Sequence, residues 1–520
     1  MNNRTNKAWL QYEAGMAYKR RIGLYESSRR NDAFYRGEQW QSGEGADLPR
    51  PVFNIIRRVV DFLVCSVASA DLSIDFSDEN LPFSGKEEAK QTEALLKILT
   101  QNTAYRWEKD GMDAKLFRLL TDAALCGDGA LYCYWDTSAR GAGDYSGDIV
   151  TEIADATRIF PADVNKNDIQ SQEYIILSGR QSVLSLRKEA EQNGASNEDI
   201  AKICRDDEPS AHGRRSEYEL EGEEEEKTTF IIKFWKENGK VCFEKSTRDC
   251  IIKRAHTDCR LYPLTYFSWS PARNSFHGTS PVTPMIPNQK FINRAYAMAM
   301  KHMTDTAFSK VIYDKSRIPE WTNEVGEAIA AMGGGNISDA VSVIGTGEMQ
   351  DGFCELIDSA VSLTKELMGA TESALGNLEA KNTSAILALQ ETSRITLDDV
   401  RYAFYQCIEG LANVWADMIC AYYPSDRLLP CSCEEGVSAC SIDTSLMRRA
   451  MLRAKVTVSE ITRFGAVHSQ NMLDKLLDGG YISPSEYVRR LPSGLVSDKP
   501  SLIAAIEKHS TQIHKEGDTL

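Results

Sequence analysis

Long apolar runs are missing from this chain of 520 residues. A membrane-spanning helix needs about 18 to 20 apolar residues, and the longest candidate, residues 59–70, is interrupted by Asp61. The N-terminus also lacks the apolar core of a signal peptide. We therefore expect a soluble protein in a reducing cytoplasm, where its 13 cysteines remain free thiols.

Basic residues are in the minority. The chain has 60 Lys and Arg against 75 Asp and Glu, which gives a formal net charge of −15. Proteins that coat nucleic acid bind mainly through Lys and Arg that neutralise phosphates, so the composition excludes that class. Any contact with DNA has to be local.

Recognisable catalytic motifs are absent from the sequence. There is no Walker A loop, no His-Glu-x-x-His pair and no Gly-x-Ser-x-Gly elbow. The glycines at 333–335 lack the Lys-Ser/Thr that would reach a phosphate, so they predict a loop. We expect no catalytic residue, no metal and no cofactor.

Cysteines near the C-terminus leave one alternative open. Cys431, Cys433 and Cys440 are soft ligands at uneven spacing, and a fourth ligand would have to come from elsewhere, such as His468. A metal-dependent enzyme with unfamiliar catalytic residues is therefore a second hypothesis for the function.

The first half of the sequence predicts an α+β body. Helical spacing of apolar residues covers residues 5–35, a segment from Arg50 to about residue 70, and residues 89–124. The acidic run at 217–226 is typical of a solvated loop. Runs of β-branched and aromatic residues predict strands at 130–135, 149–153, 174–178, 229–235, 240–243 and 264–269, in a mainly antiparallel sheet.

The second half predicts long helices. The first begins near Pro284 or Pro287 and continues to about residue 313. An insert follows, with short strands at 311–313 and 341–344 around a helix at 321–332. Apolar residues on one face of the first helix are Ile292, Tyr296, Ala299, Met303 and Ala307, whereas Lys290, Arg294 and Lys301 lie on the opposite face.

The chain then returns in a second helix at residues 355–375. A short loop and a still longer helix follow, which ends before Pro424. Small helices close the chain. The second helix carries an apolar stripe of Leu356, Ala360, Leu363, Leu367, Ala370 and Ala374.

Three local motifs have a counterpart in a known family. Phe34-Tyr-Arg-Gly-Glu-Gln-Trp40 is followed by Arg50-Pro-Val-Phe-Asn54, and Phe276-His-Gly-Thr-Ser-Pro281 precedes Asn288, Gln289 and Asn293. In this order, with two long helices around a small insert, the chain resembles the portal proteins of tailed bacteriophages over residues 10–490.

The resemblance implies a portal-type α+β fold with the following parts: a wing at 1–280, a first stem helix at 281–313, a clip at 314–353, a second stem helix at 354–376, a tunnel loop at 377–383, a long wing helix at 384–423, and a C-terminal wing end and helical crown at 424–520.

The same resemblance implies a ring, usually a dodecamer, at one vertex of the capsid. Double-stranded DNA would pass through it non-specifically during packaging and ejection. The expected partners are the terminase large subunit, the major capsid and scaffold proteins, and a head-tail adaptor, with no membrane. The expected location is the virion, and the host cytoplasm during assembly. A different ring or scaffold protein of the virion remains an alternative.

The resemblance to portal proteins also implies candidate DNA-contacting residues. The resemblance places Asn377, Lys381 and Asn382 on the tunnel loop, where one lysine per copy would touch phosphates without reading bases. Lys290, Arg294 and Lys301 either line the channel as basic rings or pair with acids of the neighbouring helix, such as Glu355 and Asp358.

Overall fold

The structure is a computed structural model. It describes residues 6–40, 48–68, 71–141, 145–206, 226–307, 310–321, 329–344, 352–370, 397–424, 427–433, 436–459, 463–491, 502 and 505–506. Helices and antiparallel strands share these residues, which confirms the predicted α+β class. The chain forms two compact units: the first comprises Met1–Arg30, Asp61–Pro281 and Arg394–Leu520, and the second comprises Asn31–Val60 and Val282–Ser393.

The first half of the chain begins with helices and continues with strands. Its elements are α1 Lys7–Arg21, α2 Leu24–Arg36, α3 Ile55–Ala68, β1 Asp71–Asp78, α4 Lys86–Lys109, α5 Met112–Cys126, β2 Asp128–Arg140, β3 Ser146–Ala154, β4 Ile159–Pro161, β5 Tyr174–Ser182, α6 Val183–Gln192, α7 Asn197–Ala201, β6 Lys227–Glu237, β7 Lys240–Ser246, β8 Ile251–His256 and β9 Leu264–Ser268.

The described part of the chain after residue 280 contains two helices of 25 residues, α8 and α10. Its elements are α8 Val282–Thr306, β10 Lys310–Tyr313, β11 Val341–Ile344, α9 Gly352–Leu367, α10 Asp398–Tyr422, β12 Leu428–Cys433, β13 Gly436–Ser441, α11 Thr444–Arg449, β14 Leu452–Ser459, α12 Arg463–Asp478 and α13 Pro484–Arg490.

The first unit is built on antiparallel sheets. Strands β4 to β8 form a five-stranded sheet in chain order, and β3, β2 and β9 form a three-stranded sheet. Strand β1 pairs with β14 although more than 370 residues separate them. Helix α10 packs on β9 and β14, and α4 packs on β1 and β12, which covers these strands with apolar side chains.

In the second unit, α8 packs against α9. The short strands β10 and β11 lie between α8 and α9 in the sequence and pair with each other antiparallel. The prediction of strands at 311–313 and 341–344 thus agrees with the structure to within a residue.

Glycine breaks two of the predicted N-terminal helices. The segment 5–35 forms α1 and α2, which are separated at Gly23, and the segment 89–124 forms α4 and α5, which are separated at Gly111. Both glycines have a positive φ, 70° and 59°, a backbone region that side chains with a Cβ rarely adopt. Helical periodicity continues across such a break, so the sequence pattern predicted one helix where the structure has two.

Several boundaries in the second half were predicted wrongly. Helix α8 ends at Thr306 rather than near residue 313, and α9 ends at Leu367 rather than 375. Residues 329–332 are not helical, although a helix was predicted at 321–332. The C-terminal region is not wholly helical either, because it contains β12, β13 and β14.

Other predictions fall outside the described residues. These are the acidic run up to residue 225, the middle of the predicted helix at 322–328, and residues 371–396, where the tunnel loop and the start of the long wing helix were predicted. In the described part, no helix is long and apolar enough to cross a bilayer. The cysteines whose side chains are described are free thiols.

A buried ionic cluster ties three segments of the first unit together. Asp148 of β3 lies 3.3 Å from Arg106 of α4 and 2.6 Å from Lys109, and it accepts a hydrogen bond from the Tyr423 hydroxyl. Arg427 lies 3.9 Å from the same carboxylate. Burial alone would raise the pKa of Asp148, but Arg106, with hydrogen bonds from Lys109 and Tyr423, holds it well below its ordinary value.

Replacement of Asp148 by Asn should lower the free energy of unfolding at pH 7 by about 3 kcal/mol or more, because it leaves Arg106 buried without its counter-ion. The folded carboxylate resists protonation, so its stabilisation is present above the unfolded-state pKa of about 3.9 and is lost as the pH falls below it. Asp148→Asn should therefore flatten the acid limb of the stability curve.

Urea unfolding between pH 7 and pH 3 measures this effect. Glu93→Gln, an exposed substitution on α4, serves as the matched control and should leave the curve unchanged. Parallel acid limbs for Asp148→Asn and the wild type would contradict the assignment.

Candidate channel-forming helices

Helix α8 is fixed by buried side chains from Val282 to Ala299. Ile292 and Ala299, both predicted to lie on the apolar face, are buried, and Tyr296 is half-buried against Phe53 at 4.3 Å between ring centroids. Met303 and Ala307, predicted on the same face, are exposed. The packing of this face is thus limited to the first five turns of the helix.

Four amide side chains form a buried network beside this part of α8. Asn293 Nδ2 donates to Gln39 Oε1 at 2.7 Å, and Gln39 Nε2 donates to Asn54 Oδ1 at 3.1 Å. Gln289 Nε2 donates to Asn293 Oδ1 at 2.9 Å. Gln39, Gln289 and Asn293 are buried, so each of these polar groups needs a protein partner.

The network also caps helix α3. Gln289 Oε1 accepts from the backbone N–H groups of Ile55 and Ile56, and Asn54 Oδ1 accepts from the N–H of Arg57. These three groups at the start of a helix have no carbonyl partner within it. Gln289, a residue of α8, therefore caps the start of α3 and links the two helices.

Backbone carbonyls complete the network. Gln39 Nε2 donates to the carbonyl of Phe34, Asn54 Nδ2 to that of Tyr35, and Gln289 Nε2 to that of Phe53. The two N-terminal motifs and the Asn-Gln-x-x-x-Asn motif of α8 are thus parts of one hydrogen-bonded unit. Their spacing in sequence, more than 230 residues, gave no sign of this contact.

The motif that precedes α8 has a separate anchor in the first unit. Asp128 accepts from Ser268 Oγ at 2.8 Å, from the backbone N–H of Gly278 at 2.7 Å and from His277 Nδ1 at 2.9 Å. Burial lowers the pKa of His277 below its ordinary value, although the hydrogen bond to Asp128 opposes the shift.

Glycine is required where these two segments meet. A Cβ on Gly127 would lie 2.7 Å from the carbonyl oxygen of Gly278, and Gly127 has a φ of 100°. The sequence pattern predicted a helix only as far as residue 124 and gave Gly127 no role. It missed Asp128 as the residue that holds the Phe276–Pro281 motif.

The predicted basic residues of α8 lie on the side away from Ile292. Arg294 is exposed, and Lys290 and Lys301 are half-buried. Lys290 Nζ lies 5.8 Å from the centre of the Phe34 ring, and Lys301 Nζ lies 3.2 Å from Asp305 on its own helix. Lys301 therefore has an acidic partner on its own helix, a pairing that the sequence analysis did not consider.

The apolar stripe of α9 is largely exposed within the single chain. Leu356, Leu363 and Leu367 are 53%, 54% and 71% exposed, whereas Ala370 is buried. The residues of α9 that are buried are instead Ile357 and Thr364. Helix α9 thus has one face packed in the chain, with Ile357 and Thr364, and an apolar face of leucines that is open.

Of the other predicted site residues, Asn377, Lys381 and Asn382 lie outside the described residues, as does Ala374 of the stripe. Cys431 is fully buried, and its thiol faces the carbonyl oxygens of Ile98 and Leu429 at 3.7 Å and 3.6 Å. The side chains of Cys433 and His468 are also outside the described part of the chain.

Comparison with protein-family models matches residues 11–439 to the phage P22-like portal proteins. The chain belongs to this family. Membership identifies a structural protein with a portal role in a bacteriophage virion, and it implies an oligomeric ring at a capsid vertex that associates with capsid and DNA. No curated protein matches the chain.

The amide network generates a stability prediction. Gln289→Leu removes the partner of the Ile56 N–H and of the Asn293 amide oxygen. The Ile55 N–H and the Phe53 carbonyl keep their own hydrogen bond at 2.8 Å. Each unsatisfied buried group costs about 1–3 kcal/mol, so we expect the unfolding free energy to fall by about 3 kcal/mol or more.

Chemical denaturation of the full chain tests this expectation. Asn288→Ala, at the adjacent and only half-buried position, is the control and should change stability by less than about 0.5 kcal/mol. Equal losses for the two variants would show that Gln289 does not carry the network.

Proposed function

We propose that the chain forms a ring, usually of twelve copies, at one capsid vertex and that DNA enters and leaves the capsid through its centre. Helices α8 and α9 would surround the channel. The observation that carries this proposal is the open leucine stripe of α9, taken together with the family match over residues 11–439. Contiguous exposed apolar surface on a helix is typical of an interaction site.

A neighbouring copy is the occupant that best fits this stripe. Leu356, Leu363 and Leu367 recur at steps of seven and four, the spacing with which helices pack side by side. On α8, Phe291 and Met298 are also exposed and are seven residues apart. In a ring, each copy would offer both helices to its neighbours.

The charge of the chain suits passage of DNA. Twelve copies at −15 each would carry roughly −180 formal charges, and a duplex with one negative charge per about 1.7 Å would not adhere to such a wall. Lys290 and Arg294 would add dispersed, sequence-independent contacts to phosphates. Weak contacts are required, since tight neutralisation of many phosphates would hold the DNA in place.

The remaining assignments follow from the family. The clip at 314–353 would dock the packaging ATPase first and the tail adaptor later, and assembly would take place in the host cytoplasm with major capsid and scaffold proteins. We identify no nucleotide-binding motif in the sequence, so the energy for packaging would come from the docked ATPase.

Leu363→Glu tests the role of the stripe. A charge in the centre of an apolar interface between copies should abolish rings while the fold of each copy is kept, because Leu363 is more than half exposed in the single chain. Sedimentation velocity of the purified protein would give the size of the assembly, and circular dichroism would report the fold.

The matched control is Ser362→Glu, which places the same charge at the neighbouring exposed position. It should leave assembly intact. Rings formed equally by both variants would remove the stripe from the interface, and rings lost equally in both would point to charge alone.

Lys381→Ala tests the proposed tunnel loop. We expect ring assembly to be unchanged, because one loop lysine contributes little to the contacts between helices, but packaging or retention of DNA should be altered. The length of packaged DNA and its release would be measured in phage that carry the variant. Unchanged values would remove Lys381 from the mechanism.

A further inference from the structure

Three side chains with metal-binding groups converge at the end of the five-stranded sheet. Glu237 is the last residue of β6, Cys242 lies in β7, and His256 is the last residue of β8. The antiparallel register places Cys242 directly opposite His256. Their sequence separations, five and fourteen residues, match no ligand motif, so only the pairing of three strands brings them together.

The distances between the ligand atoms are short. Cys242 Sγ lies 3.0 Å from His256 Nδ1, and His256 Nδ1 lies 3.8 Å from Glu237 Oε2. The three ligand atoms all lie within 4.8 Å of one another. In the described part of the chain, this is the group of His, Cys, Asp and Glu side chains that meets the spacing of a metal site.

We propose that Glu237, Cys242 and His256 bind a divalent zinc ion. One thiolate, one carboxylate and one neutral imidazole carry two negative charges in total, which would neutralise Zn²⁺. Sulfur, nitrogen and oxygen ligands of this kind are the usual donors for zinc. On binding, the Cys242 thiol releases its proton to solvent as the sulfur–zinc bond forms.

Only a small movement is needed to admit the ion. Tetrahedral bonds of about 2.3 Å to sulfur and about 2.0 Å to nitrogen would separate these two atoms by about 3.5 Å. The present separation is 3.0 Å. The His256 side chain is 70% exposed and can rotate, whereas Cys242 is 1% exposed and fixed in the sheet. A water molecule would occupy the fourth position on the open side.

A neighbouring residue already orients the carboxylate. Trp235 Nε1 donates a hydrogen bond to Glu237 Oε1 at 2.7 Å, which leaves Oε2 directed toward His256. Partners of this kind, one layer outside the ligands, are a regular feature of protein metal sites. The guanidinium of Arg254 stacks over the Trp235 ring, 5.3 Å from its centre, and lies 3.7 Å from Glu244.

Cobalt substitution tests the site in the full chain. After treatment with a chelator, the wild-type protein should bind Co²⁺ and show a sulfur-to-cobalt charge-transfer band in the near ultraviolet. Cys242→Ser should lose that band. His256→Ala and Glu237→Gln, both at exposed positions that do not threaten folding, should weaken Co²⁺ binding at least about tenfold.

The matched control is Cys204→Ser, since Cys204 is an exposed thiol outside the cluster. This variant should keep the band and the affinity of the wild type. Zinc should raise the melting temperature of the wild type and of Cys204→Ser but not of His256→Ala. A wild type without the band, a band that persists in Cys242→Ser, or an unchanged Co²⁺ affinity in His256→Ala would overturn the proposal.

Discussion

The fold of the second unit around α8 depends on the requirement that buried polar groups be paired. Gln39, Asn54, Gln289 and Asn293 pair with one another, and Gln289 also pairs with the backbone N–H groups of Ile55 and Ile56 at the start of α3. Such a network stabilises only when it is complete, because a single missing partner leaves several groups without hydrogen bonds. It fixes the position of α8 relative to the N-terminal motifs of the second unit, and α9 packs on α8 in turn.

Two features of the chain gain a common explanation in a ring. The leucines of α9 form a face that the single chain leaves open, and an open face of this kind is covered by a neighbouring copy in the proposed assembly. The acidic net charge of each copy disfavours adhesion of DNA to the same assembly. Apolar contact would hold the subunits together, and electrostatic repulsion would keep the channel passable.

Much of the architecture could be predicted from local sequence. Periodicity and turn residues predicted six strands of the antiparallel sheets, the short strands β10 and β11, and the existence of α8 and α9. The six strands are β2, β3, β5, β6, β7 and β9. The motifs around Trp40, Asn54 and Gln289 were recognised as well. Local patterns could not predict which motifs contact each other, because a hydrogen bond between residues more than 230 positions apart has no signature in the sequence around either residue.

The failures have the same physical origin. Strands β1 and β14 were both missed, and each finds its pairing partner more than 370 residues away in the chain. The exposure of Leu363 was not foreseen either, since an apolar stripe on a helix has the same pattern whether it packs within a chain or between chains. The cluster of Glu237, Cys242 and His256 exists only after three strands have paired.

Electron microscopy of the purified wild-type protein tests the central claim most directly. A portal ring should appear as a closed assembly with an axial hole wide enough for a DNA duplex, and a reconstruction should place α8 and α9 around that hole with Leu356, Leu363 and Leu367 against a neighbouring copy. A single-copy particle, or a ring in which these leucines face solvent, would contradict the account.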